Sequence, residues 1–311
     1  MRHPLWLAAL TAALSPLPAN ALSVGHLVTL DPVAPTPADP AAPLLRLTFP
    51  ASGDHLPVVI LSHGNRLSRT DYQPLVSALA RAGYLVVQPD HPDASIDGFT
   101  PATPQPENTW RTRIEQLAWV ARHLTSLTRA IPLLRGRVDA SRIAIVGHSF
   151  GGHTAALAMG ARVRDTGANP ALPSIRAAVL LAPPGDHDGL TPEWKARAPY
   201  LRVDWSGLHG PLLIINGDKD DTPLTDRGPQ WHDAPYRLAP AGRDICLMTV
   251  PGVGHYLGGI DSPLRGPTGD ATPERRTAVF SAILSFLAAK LRPTPASQKD
   301  WIDRRETLDC K

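Results

Sequence analysis

Short apolar runs punctuate the chain, and most are followed by a segment whose apolar residues return every three or four positions. The runs at 55–64 (HLPVVILSHG), 84–90 (YLVVQPD), 142–149 (RIAIVGHS), 175–184 (IRAAVLLAPP), 210–221 (GPLLIINGDKDD) and 244–255 (DICLMTVPGVGH) are apolar at successive rather than alternate positions. Strands of that kind are buried on both faces. Two earlier runs, 26–30 (HLVTL) and 44–49 (LLRLTF), read as further strands, and Pro57 stands at a strand entry, where no ladder donor is lost. Leu75, Leu79 and Ala82 share a helical face that stops at Gly83. Ile114, Leu117, Val120 and Leu124 do the same within 109–127, and 151–163 and 273–291 are the remaining helical segments. This alternation predicts an α/β fold, with a mostly parallel central sheet and helices on both of its faces. No linker or internal repeat divides it, so residues 22–311 read as a single domain. A long interruption around 183–210 reads as a loop-rich insertion, and connections of that length are commonly lid-like or functional.

The first residues follow another pattern. Met1-Arg2-His3 is basic, Leu5–Leu14 is apolar but too short to cross a bilayer, and Ala19 and Ala21 stand in A-x-A register. Residues 1–21 therefore read as a signal peptide, and the mature protein as secreted or periplasmic, with no transmembrane span. Cysteine use fits an oxidising compartment. Cys246, in a strand-like run, and Cys310, next to last, could pair across about 64 residues, a constraint of roughly 4 kcal/mol by the chain-entropy argument. The alternative is one buried thiol and one frayed one. A chain of 311 residues that is 43% hydrophobic can fill a large core. Its net charge of +3 comes without a basic run, which excludes a nucleic-acid groove as a partner surface. The 34 prolines and 24 glycines predict long, stiff loops on an ordered fold.

The chemistry gathers where strands end. Gly147-His148-Ser149-Phe150-Gly151 is G-x-S-x-G, set between a strand and an alanine-rich helix. In that context it describes a nucleophile elbow, a turn tight enough to need glycines around a serine held above the sheet edge. The first amides of the next helix favour negative charge at the same spot. Without the context, the same residues would be a tight turn with an inert serine. Serine needs a base, and the base an orienting acid. Asp218, Asp220 and Asp221 close one later strand and His255 closes the last, in the order expected downstream of such an elbow. Both sites fall at strand carboxyl ends, where open α/β sheets bind ligands. Asp220 is the preferred acid and Asp221 the alternative, while Asp218 is expected to bond turn amides. Among the other histidines, His148 reads as a packed or hydrogen-bonded spacer and His153 as a residue that lines the site or packs near it. His91, His187, His209 and His232 read as surface loop residues. The backbone N–H groups of Phe150 and of Asn65, in S-H-G-N at 62–65, are the candidate oxyanion donors, with Gly64 allowing close approach.

Other patterns carry less. Asp93–Gly98 begins like a calcium loop, but its twelfth position is Pro104 and no helix pair flanks it, so it reads as a polar loop. No metal-binding or nucleotide motif occurs, and neither a metal nor a cofactor is expected. Trp194, Tyr200, Trp205, Trp231 and Tyr236 crowd the segments flanking the aspartate turn and read equally as an acyl pocket or as loop-stapling core.

The stretches 56–93 (LPVVILSHGNRLSRTDYQPLVSALARAGYLVVQPDHPD), 143–152 (IAIVGHSFGG), 215–232 (INGDKDDTPLTDRGPQWH) and 253–259 (VGHYLGG) resemble the α/β-hydrolase superfamily. Within it the chain is similar to bacterial dienelactone-hydrolase-like and chlorophyllase-like serine esterases. Around SHG and GHSFGG it also resembles the plasma-type platelet-activating-factor acetylhydrolases. The likeness runs from about Val28 to Leu291 and leaves the tail unmatched. It implies an α/β-hydrolase fold, a triad of Ser149, Asp220 and His255, and oxyanion donors at Asn65 and Phe150. True dienelactone hydrolases use a cysteine nucleophile. Serine here favours ester over lactone chemistry. The expected function is a serine carboxylic-ester hydrolase acting through an acyl-enzyme on a small-molecule or lipid-like ester. The alternatives are an acyltransferase with an alcohol acceptor and a non-catalytic binding protein on a hydrolase scaffold.

Overall fold

The computed structural model describes residues 26–34, 39, 41–95, 108–164, 166–168, 170–260 and 271–311. Residues 1–21, read from sequence as a signal peptide, and most of the polar loop that begins like a calcium site, from Ile96 to Glu107, lie outside the described residues. Strands β1 (Leu27–Val33), β2 (Leu45–Pro50), β3 (Leu56–Ser62), β4 (Leu85–Pro89) and β5 (Val138–His148) open one large sheet. It continues through β7 (Ile175–Leu181), β9 (Leu212–Gly217), β10 (Ile245–Val250) and β11 (Asp309–Cys310), in the order β1-β2-β4-β3-β5-β7-β9-β10-β11. All pairs from β4 through β10 are parallel, while β1–β2, β2–β4 and β10–β11 are antiparallel. The sheet is that of an α/β hydrolase.

Period-two geometry explains why the strands are apolar at successive positions. Val58 and Ile60 of β3 face a core shared with Leu117, Val120 and Leu124 of α2 (Thr109–Ala130) and with α3 (Phe150–Ala158). Val59 and Leu61 face the opposite core, with Leu75 and Leu79 of α1 (Gln73–Arg81) and Ile283 and Phe286 of α6 (Pro273–Leu291). Parallel strands joined by crossovers all end on the same rim. The residues just past β3, β5, β9 and β10 therefore meet there, though they are far apart in sequence.

Two segments differ from the sequence expectation. The helix expected over 151–163 ends at Ala158. Gly160 follows at φ +99°, and a Cβ there would overlap the Gly207 carbonyl. Arg162–Val163 instead form a short strand, β6, antiparallel to β8 (Val203–Asp204). That pairing ties the stretch between β7 and β9 to the body. The same stretch carries α4 (Pro192–Arg197), and its Leu190, Ala198 and Leu201 cluster with Trp231, which comes from beyond β9, just before α5 (Ala234–Leu238).

The unmatched tail is ordered. Thr294 caps α7 (Pro295–Arg305) in a capping box with Ser297, and Trp301 packs edge-on against Phe286 at 5.1 Å. The helix delivers β11 to the sheet edge. Ile245 and Lys311 exchange both backbone hydrogen bonds, at 3.2 and 3.0 Å. The next pair along, Cys246 and Cys310, is thus the non-hydrogen-bonded kind, whose side chains stand closest. A disulfide joins them, with Cα atoms 4.1 Å apart.

Candidate active site

The elbow lies where β5 meets α3. Ser149 adopts φ 52°, ψ −120°, a conformation few side-chain-bearing residues tolerate. The surroundings leave no alternative to glycine nearby. A Cβ on Gly151 would overlap the Ser62 carbonyl, and one on Gly147 would overlap that of Gly151. Ser149 N–H donates to Leu181 O at 2.8 Å, which ties the turn to β7. Among the described residues neither the Phe150 amide nor the Asn65 amide has an acceptor.

Asp220 follows β9, and its neighbour Gly217 passes so near the Val253 carbonyl that a side chain would not fit. The Asp220 carboxylate is 1% exposed and lies 2.9 and 3.1 Å from His255 Nδ1. Asp221 is exposed, and Asp218 accepts from the Gly252 N–H at 2.6 Å, bonding a turn amide. His255 is 33% exposed, so the imidazole is accessible while the carboxylate it touches is not. Burial would raise the Asp220 pKa, but His232 and His255 outweigh it and hold the carboxylate below its usual range. Among the described residues no hydrogen bond links Ser149 Oγ to His255. Such bonds are commonly loose until substrate closes the site.

His148, next to the serine, does more than fill space. His148 Nε2 is 2.9 Å from His255 O, a carbonyl that can only accept, so Nε2 carries the proton. Nδ1 then accepts from Tyr72 Oη–H at 2.9 Å, and Tyr72 Oη accepts from Gly64 N–H at 2.9 Å. Burial, with His255 close by, lowers the His148 pKa to about 3, which keeps this direction of bonding at neutral pH. The relay connects the candidate oxyanion loop, the elbow and the His255 backbone. His153, one turn into α3, is buried with its ring stacked on Phe150 at 5.5 Å and Nε2 3.2 Å from Tyr200 O.

The surface expectation is wrong for two histidines. His91 is buried, with Nε2 2.8 Å from Ser62 Oγ and Nδ1 2.8 Å from Gln116 Oε1. His232 is buried too. Its Nδ1–H donates to Pro183 O at 2.7 Å, and its Nε2 lies 3.3 Å from Asp220 Oδ2. Both loops turn inward, where buried polar groups need partners: a hydroxyl and an amide oxygen for His91, a backbone carbonyl and a carboxylate for His232. His187 is half-buried, and His209 is exposed as expected. Asp220, His232 and His255 present donor atoms within 4.8 Å of one another, a spacing open to a metal ion. The 2.9 Å Nδ1–carboxylate contact has the length of a hydrogen bond, and we read the group as an acid with two imidazoles.

The aromatic residues divide between interior staples and a ring beside the elbow. Trp205 and Trp231 are interior, and Trp231 Nε1–H donates to Asp186 O at 2.8 Å, which staples the insertion. Tyr200 is half-buried with its ring 5.2 Å from that of Phe150, next to the elbow. Arg113 was invisible as a site residue in the sequence because it sits within an amphipathic helix. It is fully buried against Asp93, His63 and Gly64.

Comparison with known proteins agrees with the fold. The chlorophyllase family profile matches residues 20–169. The chain is 26% identical over 219 residues to Cutinase 1 of Thermobifida cellulosilytica, covering 70% of this chain and 67% of that protein. It is equally similar, at 26% over 219 residues, to a cutinase of Thermobifida fusca, of which 58% is covered. A platelet-activating factor acetylhydrolase of Cavia porcellus is 28% identical over 137 residues, 33% of this chain and 31% of that protein. The chain thus spans about six-tenths to two-thirds of the cutinases it matches. With the fold, these likenesses indicate a carboxylic-ester hydrolase of the serine type. The resemblance is to α/β-hydrolase serine esterases, the group that the matched family and these relatives represent.

Proposed function

We propose that the protein hydrolyses carboxylic esters through an acyl-enzyme on Ser149, with His255 as base and Asp220 as its orienting acid. The observation that carries this reading is the buried Asp220 carboxylate bonded to Nδ1 of a partly exposed His255, on the rim that holds the serine elbow. Asp220 fixes the tautomer, which leaves Nε2 free to take the Ser149 proton as Oγ attacks the acyl carbon. The amides of Phe150 and Asn65 stabilise the oxyanion. Collapse of the tetrahedral intermediate expels the alkoxide, which takes the proton from His255 and departs as the alcohol. Water, deprotonated by His255, then attacks the acyl-enzyme, and the carboxylic acid leaves as Ser149 regains its proton. The neighbouring rings of Phe150 and Tyr200 give the acyl side an apolar wall, which suits small or lipid-like acyl groups. No metal or cofactor has a part in this sequence.

A panel of nitrophenyl esters of graded acyl length tests activity and pocket depth together. A fluorophosphonate should label Ser149, and Ser149→Ala should abolish both labelling and turnover while folding normally. Turnover retained in that variant overturns the mechanism. Partition of product with added alcohol separates hydrolysis from acyl transfer. The Cys246–Cys310 bridge supports a secreted or periplasmic location. A mature chain beginning at Leu22 would be the expected product of export.

A further inference from the structure

We propose that Arg113 and His63 are positioning residues that preset the direction of the Asn65 amide, an inference that rests on the ester-hydrolase reading above. Arg113 projects from α2 and is fully buried. Its Nε and Nη2 bind Asp93 in bidentate fashion, at 2.9 and 2.7 Å. Its Nη1 donates to His63 O at 2.7 Å, and Nη2 lies 3.3 Å from Gly64 O. His63 Nδ1 reaches the same Gly64 oxygen at 2.7 Å. A carbonyl only accepts, so Nδ1 carries the proton, and Nε2 is left to accept the His91 N–H at 3.0 Å.

The Gly64 carbonyl and the Asn65 N–H belong to one peptide unit. In a trans peptide the two point in opposite directions. Two donors drawn onto the oxygen from inside the protein therefore aim the Asn65 N–H outward, and that amide has no acceptor among the described residues. The preceding peptide is fixed as well, because Gly64 N–H donates to Tyr72 Oη at 2.9 Å. The Arg113 guanidinium also lies 4.5 Å over the ring of Phe150, which carries the other candidate donor. One buried cation thus touches both donor-bearing segments, and its charge is balanced by Asp93. Burial and the neighbouring Arg113 lower the His63 pKa to about 4, so His63 stays neutral and keeps its tautomer at neutral pH. A donor fixed before substrate arrives costs no reorganisation during reaction.

The test uses the full chain. Arg113→Lys keeps the charge but not the fork. The double variant Arg113→Met with Asp93→Asn removes both charges together and guards against unfolding. Circular dichroism and thermal melting select folded protein. Each variant should lose about tenfold to hundredfold in kcat, with KM changed less than about threefold. Affinity for an arylboronic acid, which forms a reversible tetrahedral adduct on Ser149, should fall in proportion to kcat/KM. A purely structural role would not tie those two losses together. His63→Leu should show a smaller loss with the same proportionality. Folded double variant with unchanged kcat and boronate affinity overturns the inference. If Ser149→Ala retained turnover instead, the hydrolase reading itself would fail, and the two failures are told apart by that control.

Discussion

The two sides of the rim are held in opposite ways. The loop after β3 is closed around its donor: His63, Gly64, Leu67, Ser68, Arg69 and Asp71 are buried, only Asn65 is exposed, and Arg69 pairs with Asp31 and Asp90. The turn after β9 is open. It buries Asp220, while Asp221 and Pro223 face solvent, and His255, which follows β10, is a third exposed. The difference follows from the work each side is proposed to do. Donors that receive a developing charge gain most when they cannot move, because a fixed dipole needs no reorganisation. A base that takes a proton from serine and returns it to a leaving group needs access to both and to water.

The comparison can be broken most severely at the serine. Ser149→Ala should reduce turnover of a nitrophenyl ester by at least about 10⁴-fold with no change in melting temperature. On the open side, Asp220→Asn should lower kcat by about 10³–10⁴-fold, while Asp221→Asn stays within about twofold. Equal effects of the two would remove the acid assignment. On the closed side, Gly151→Ala forces a Cβ into the Ser62 carbonyl, and urea unfolding should show a loss of about 3 kcal/mol or more.

Acid should separate the two sides more gently. Burial holds His63 and His153 at about 4 and His148 at about 3, and it pushes His91 well below its ordinary 6.5. Each is neutral when folded and protonates near 6.5 when unfolded. The stability they contribute is therefore present above pH 6.5 and lost as pH falls towards the folded values. The slope should approach about 1.4 kcal/mol per pH unit for each histidine between roughly pH 6 and 4. Asp220, lowered from 3.8, contributes stability that is present above that value and lost only as pH falls below it. Urea titrations across pH 3–8 would check both windows, and a flat profile between 6.5 and 4 would show that the closed side is not buried in solution.

Much of this was legible in local pattern. The two-faced apolar strands, the helical spacing of Leu117, Val120 and Leu124, and the G-x-S-x-G turn are short-range features. Backbone geometry imposes such patterns directly on sequence, through a period of 2.0 or 3.6 or a turn that admits only glycine. Chain order and strand ends were enough to nominate Asp220 and His255 as candidates. They were not enough to choose between Asp220 and Asp221, because neighbours on a turn differ only in which way they face.

The burial of His91 and His232, the Arg113–Asp93 pair, and the tail that adds β11 were decided by tertiary structure. Arg113 meets His63 from 50 positions away, and His232 meets Pro183 from 49. Nothing in an amphipathic helix marks which arginine will be enclosed. The cysteine pair was possible from sequence alone, but it took the register of β10 against β11 to bring Cys246 opposite Cys310. Periodicity records what a residue needs from its own strand or helix. A buried polar group is satisfied by whatever distant backbone arrives beside it, and only the assembled rim determines that.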